Sequence, residues 1–264
     1  LRTSAAIVTP SGGSAADLIL ERRRQPMAFS LTALRRTVAE PSFRRIVATL
    51  LLIDVLLLLA PIVAGGLVYL GLLEAAPQQL KLQPVWSLPS LFIYLKWLLI
   101  AACLATAWRK SDEPLLLSLA IIFGLLLIDD SLELHEQLGT ATKDWLGYGP
   151  AFGLRGDDLG ELTIWAILGA VCCAVFALGY RRSSLAGRGI GHVFLLGIAA
   201  LAACGIVVDM LSIMAHDFGD GTVNRATRFL FRCVEDGGEL MIASLLLAFA
   251  LVTLRDHAPT TAVV

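Results

Sequence analysis

Three short acidic clusters in this 264-residue chain share one outline: DDSLE from Asp129 to Glu133, DDLGE from Asp157 to Glu161, and EDGGE from Glu235 to Glu239. HDFGD, from His216 to Asp220, is a looser fourth. On a helix the first and last acids of the DxxE core lie three residues apart, so each cluster sets two carboxylates on one face. Carboxylates crowded together repel one another wherever water is scarce. They persist only with protons, with arginines or with a metal ion among them. Each neutraliser implies a different function.

The metal reading takes oxygen ligands from Asp129, Glu133, Glu136, Asp209, Glu235 and Glu239, with His216 as a nitrogen ligand. Such a donor set suits Ca²⁺, Mg²⁺, Mn²⁺ or Fe²⁺. Asp130 and Glu161 stand at the rim of that set. An enzyme built on it would use a divalent cation to polarise an ester or phosphate, or to activate water, at the outer leaflet. The proton reading makes the chain a proton- or cation-coupled transporter or channel, with Asp54 and Lys96 as a buried pair or an inner half-pathway. The arginine reading balances the acids with Arg228 and Arg232, which share a helical stripe with Glu235 and Glu239, and makes the protein a structural or interaction subunit of a membrane complex. His135-Glu136 lacks the second histidine of a zincin helix, and the Glu-x-x-His pairs of di-iron bundles are absent. No Walker A, GxSxG or GxGxxG pattern occurs, and no basic, aromatic-rich surface suggests nucleic acid. Enzyme and non-enzyme readings both stay open.

The elements that carry these residues are set by composition. Apolar residues make up 57% of the chain and charged residues 16%, and the mean hydropathy is +0.76. That describes an all-α, polytopic integral membrane protein whose first partner is the lipid bilayer. Six apolar runs are long enough to span: Ile46 to Leu73, Leu88 to Trp108, Pro114 to Gln137, Glu161 to Tyr180, Ile190 to His216, and Arg228 to Leu254. The domain plan is a polar basic tail over residues 1–45, a six-helix domain over 46–255 and a short tail over 256–264. The first 45 residues lack the apolar core of a cleavable signal, so the first span acts as an anchor; Met27 is an alternative start. The five cysteines lie in apolar segments without a CxxC pair, which points to packing rather than to disulfides or thiolate zinc.

Charge orients the bundle. The arginines at 22–24, 35, 36, 44 and 45, with Arg109, Lys110, Arg181, Arg182 and Arg188, fall on one side if six spans alternate. The positive-inside rule makes that side, and both termini, cytoplasmic, as in a multi-pass protein of the inner (plasma) membrane. Most carboxylates then gather towards the outer face. Runs of about 15 apolar residues separate the inner ends of the third, fifth and sixth spans from Asp129, Asp209 and Glu239, covering roughly 22 to 24 Å of a hydrocarbon core about 30 Å thick. Those acids therefore lie at a similar level, below the outer interface, with Glu161 nearer the rim.

Spacing predicts which side chains share a face. Asp129, Glu133 and Glu136 form one stripe and His135 points the opposite way; Asp209, Ser212 and His216 form a second; Arg228, Arg232, Glu235 and Glu239 form a third. Asp144, Asp157, Asp158 and Asp220 are expected in solvated loops. DDSLE also resembles the aspartate-rich motif with which membrane prenyltransferases hold magnesium and a diphosphate. That likeness covers five residues, and the charge pattern sets it across the membrane from a cytoplasmic diphosphate, so it assigns no family.

Overall fold

The computed structural model describes residues 37–81, 86–215 and 222–257. His216 and Asp220 lie outside them, as do most of the proposed N-terminal tail and the last residues of the chain. Among the described residues the fold is helical. Its elements are α1 (Pro41–Tyr69), α2 (Leu88–Ser111), α3 (Pro114–Leu132), α4 (Leu134–Leu146), α5 (Gly156–Arg182), α6 (Leu185–Ala202), a π-helical turn (Ala203–Val208), α7 (Asp209–Ala215) and α8 (Thr222–Asp256). Six helical segments are long and apolar enough to cross a membrane, α6 running on through the π-helical turn to Met214 as one of them.

Local chemistry places the helix ends. Pro41, Pro89 and Pro114 sit in the first turns of α1, α2 and α3, where a missing amide proton costs nothing. The Ser87 and Ser184 hydroxyls accept from the Ser90 and Gly187 amides at the starts of α2 and α6. Arg109, Lys110, Arg181 and Arg182 occupy last turns, where exposed carbonyls favour positive charge.

Two departures from the sequence pattern decide where acids point. The third span was expected to continue to Gln137, but α3 ends at Leu132 because Glu133 adopts the left-handed conformation, with φ 50° and ψ 40°. The chain turns there into the short amphipathic α4. The expected stripe of Asp129, Glu133 and Glu136 is thereby broken, and His135 swings back to Asp129. The fourth span likewise starts earlier than expected. Asp157 and Asp158 are not loop residues but lie in the first turn of α5, where the unpaired amides attract negative charge. Asp158 is fully buried, accepting from the Arg155 backbone amide at 2.7 Å and from its guanidinium at 2.6 Å. Asp157 pairs with Lys143 at 3.0 Å, which raises the lysine's pKa. Asp144, also expected in a loop, belongs to α4.

The core forms where α2 packs on both α3 and α8, with α6 against those two. Ile100, Leu104, Leu115, Leu116, Leu119 and Ala243 are wholly buried there. Phe123 stacks on Trp97 at 5.7 Å and meets Phe194 edge-on at 5.9 Å. α1 lies outside this core and packs mainly on α8, burying little of its apolar surface; the rest is left for lipid. α4 crosses α5 closely because both contribute glycine. A Cβ on Gly160 would stand 2.1 Å from the Gly139 carbonyl oxygen, and one on Gly139 would meet the Glu161 backbone at 2.8 Å. α5 and α6, although consecutive, scarcely touch. Arg255 at the end of α8 grips Glu40 at the start of α1 through two bonds of 2.6 and 2.7 Å, so both ends of the bundle domain lie at one pole. The acidic clusters gather at the other.

Candidate functional site

At that second pole the helices leave a cavity of about 480 Å³. The start of α2 lines it with Ile93 and Tyr94, the end of α3 with Asp130, and the bend between α3 and α4 with Glu133. His135 and Glu136 enter from α4, Glu161 and Trp165 from α5, Gly205 and Ile206 from the π-helical turn, Asp209 from α7, and Glu235, Asp236, Glu239 and Leu240 from α8. Eight carboxylates and one imidazole thus face a common space, and among the described residues no lysine or arginine lines it.

The two neighbouring aspartates of α3 divide their work because successive helical residues point about 100° apart. Asp130 borders the cavity while its Oδ2 accepts from Trp97 Nε1 at 3.0 Å, and its carbonyl oxygen accepts from the Tyr94 hydroxyl at 3.1 Å. Asp129, 3% exposed, stands behind the wall and meets His135 Nδ1 at 3.0 Å. The positions expected of the pair are exchanged: the rim residue lines the cavity and the expected ligand supports a histidine. With its proton on Nδ1 directed at Asp129, the neutral ring leaves Nε2 without a hydrogen, 4.0 Å from Glu136 Oε1. The His135 ring also lies against Trp165, with centroids 4.8 Å apart. Burial works against a charge on His135, but the Asp129 hydrogen bond and the charges of Asp129, Asp130 and Glu136 outweigh it and raise its pKa. Glu136 is also raised, by burial first and then by Glu133.

The far wall depends on an irregular helix. π-turns are uncommon and recur at functional positions, because one extra residue per turn redirects the side chains that follow. Here the turn carries Gly205, and a Cβ on it would come within 2.2 Å of Glu239 Oε1. Gly238 approaches Cys204 in the same way, a Cβ there falling 2.6 Å from its sulfur. Backbone without side chains therefore seats Glu239 against the turn that ends at Asp209. Next to it, Asp236 Oδ2 is buried with no hydrogen-bond partner among the described residues. A buried carboxylate oxygen without a partner is costly in a folded protein, and it marks a place where something is bound or protonated.

Of the residues singled out in the sequence, Glu133, Glu136, Asp209, Glu235, Glu239, Asp130 and Glu161 line this one cavity. Arg232 is exposed and stands outside it; the Arg228 side chain, like His216, is outside the described residues. Among the described residues no three His, Cys, Asp or Glu side chains converge tightly enough to ligate an ion directly. The carboxylates are spread around a wide space instead. Asp54 and Lys96 meet elsewhere: Lys96 Nζ donates to Asp54 Oδ1 and, at 2.9 Å, to the Leu240 carbonyl, while Ser244 donates to Asp54 Oδ2 at 2.6 Å. Sequence reasoning missed His135 as a partner of Asp129, Asp236, Trp165 and the π-turn. Asp236 was present in the EDGGE cluster, but no pattern announces a π-turn or a left-handed Glu133.

Comparison with protein families matches residues 45–254 to the family described as Domain of unknown function (DUF8692), and the chain belongs to that family. The matched region runs from the start of α1 to the end of α8 and so contains the whole cavity. Neither the curated proteins nor the solved structures gave a match.

Proposed function

We propose that this DUF8692 member is a membrane protein that holds a cation in its acidic cavity. The observation that carries the reading is the wall itself: among the described residues it holds eight carboxylates and a histidine and no lysine or arginine. At that density and in a low dielectric, mutual repulsion favours any positive guest. The buried, unpartnered oxygen of Asp236 supports the same conclusion. Against the arginine-balanced, purely structural reading stands Arg232, which is exposed and outside the lining.

The donor chemistry suits Ca²⁺, Mg²⁺, Mn²⁺ or Fe²⁺. A space of about 480 Å³ would hold such an ion with part of its water shell rather than stripped. In an enzyme of the outer leaflet, the cation would supply Lewis-acid polarisation, and His135, held by Asp129, would present Nε2 as the proton acceptor. A transport reading has its own support. Lys96 lies one turn from the cavity residue Ile93, Ser244 one turn from Leu240, and Lys96 bonds the Leu240 carbonyl. The buried pair thus sits directly beneath the cavity floor, where a proton or ion leaving the cavity would meet it next.

The test uses protein in nanodiscs titrated with Mg²⁺, Ca²⁺ and Mn²⁺. A ligand at about 100 times its dissociation constant stabilises the folded state by about 2.7 kcal/mol, a rise in Tm that is readily measured. Wild type should show it, and Asp209→Asn and Glu239→Gln should lose most of it. Identical responses in all three proteins, or no response to any of these cations and none to a small ammonium ion, would overturn the reading. Cation or proton flux in liposomes, lost in Asp54→Leu/Lys96→Leu while cation binding persists, would select transport over catalysis.

A further inference from the structure

A second, smaller chamber of about 130 Å³ adjoins the acidic cavity. Asp130, Trp165, Gly205, Ile206 and Glu239 belong to both linings, so the two spaces meet along a shared wall. Beyond it the chemistry reverses. The remaining surface comes mainly from the apolar Trp97, Ile122, Leu126, Leu168, Ile198 and Leu201, with the Cys172 thiol beside them. Gly169 and Ala202 also line the chamber and are exposed at the protein surface. They stand on either side of the seam where α5 and α6 scarcely touch. In a membrane that seam faces lipid, so the chamber opens sideways into the bilayer. An apolar chamber open only to water or ions would have no use for this door.

We propose that the two spaces form one binding site for a single-chain amphiphile with a cationic head. The ammonium group lies among the carboxylates, and the first part of the hydrocarbon chain crosses the shared wall into the chamber between Trp97 and Trp165. The rest of the chain leaves through the seam between α5 and α6. Charge selects the head, since the titratable groups of the described wall are eight carboxylates, one imidazole and the Tyr94 phenol. Shape selects the single chain, because about 130 Å³ has no room for two. The assignment rests on the cation reading of the cavity and names the cation.

Gly169 provides a clean perturbation. A Cβ there would meet nothing within 4 Å, so a leucine can enter the chamber mouth without displacing backbone. Gly124 has equally open surroundings and lines neither space, which makes Gly124→Leu the matched control. The probe is octylamine brominated at its far carbon, added to protein in phosphatidylcholine nanodiscs. Bromine quenches indole emission on contact, and two tryptophans wall the chamber. Wild type and Gly124→Leu should show saturable quenching, weakened at least about tenfold in Gly169→Leu, a factor equivalent to about 1.4 kcal/mol. Should the leucine variant fail to fold, Gly169→Ala should give a smaller weakening in the same direction. Ethylamine, followed by calorimetry, should bind more weakly than octylamine and equally to wild type and Gly169→Leu. The proposal is overturned if octylamine and ethylamine bind alike, if Gly169→Leu binds octylamine as wild type does, or if bromo-octanol shows the same saturable site. In those cases ethylamine binding leaves the cation reading standing, whereas failure of ethylamine and of the divalent ions removes both.

Discussion

The bundle holds buried charge in two different ways within one helical turn of each other. Asp54 has a partner at each oxygen, Lys96 and Ser244, and Lys96 spends another proton on a backbone carbonyl while its ammonium lies 4.3 Å from the centre of the Phe92 ring. That group is closed: both side chains are fully buried and every donor direction is used or screened. The cavity above it is open. Among the described residues its carboxylates outnumber the positive groups facing them, and one buried oxygen, on Asp236, has no hydrogen-bond partner. A closed pair tethers α1, which otherwise packs little, to the core. An open acidic space contributes nothing to cohesion until something enters it.

Breaking the closed pair should have the largest effect. Asp54→Leu or Lys96→Leu leaves one charge buried alone, at a cost of about 3 to 5 kcal/mol, whereas the double replacement should cost much less. Thermal unfolding of the three variants checks this, and additive losses would mean that the pair does not act as a unit.

Next in size is the α4 and α5 crossing, which holds His135 and Glu161 in the cavity wall. Gly160→Ala drives a methyl group into the Gly139 carbonyl, backbone against backbone, and should cost about 1 to 3 kcal/mol. Gly205→Ala presses only on the end of the Glu239 side chain. It should cost less than about 1 kcal/mol yet weaken cation binding, because Glu239 must move. Equal destabilisation by the two alanines would show that the π-turn is a packing feature and not a seat for Glu239.

The sharpest contrast is one of sign. Glu239→Gln removes one carboxyl group from a crowd of them, so without added cation it should leave stability unchanged or raise it by up to about 1 kcal/mol, while the Tm rise produced by Mg²⁺ or ethylamine shrinks. A Tm that falls in the cation-free protein would mean that Glu239 is paired, and would move the cavity into the same class as Asp54 and Lys96.

Much of the fold was legible beforehand because it follows from periodicity and hydropathy. Six apolar runs correspond to six helices long and apolar enough to span, to within a few residues. What was hidden depends on single backbone dihedrals and on long-range fit. Glu133 in the left-handed region cuts a span that reads as continuous, and it turns His135 from an outward residue into the partner of Asp129. The π-turn at Ala203–Val208 lies in a run of small and branched apolar residues that would equally suit an α-helix. The chamber beside the cavity needs the loose seam between α5 and α6, which no local pattern records.

The smallest expected effect belongs to an ion pair in contact with water, and it calibrates the other two regions. Glu40 is gripped by both Arg255 nitrogens and accepts from the Ser42 hydroxyl at 2.8 Å. These bonds, the Arg255 ones first, hold its pKa down from 4.5 to about 2. A carboxylate whose folded pKa lies below its unfolded value adds stability that is fully present above the unfolded pKa and disappears as pH falls through the folded one. The Tm difference between wild type and Glu40→Gln should therefore be constant above about pH 5 and close progressively from about 4.5 towards 2. Solvent screens a pair this exposed, so the difference should also shrink with salt. The deficit of Asp54→Leu, in which both partners are out of reach of water, should not respond to salt. A Glu40→Gln difference that ignores salt would place this contact with the buried pair, and the distinction between charges closed off by protein and charges reached by solvent would lose its reference point.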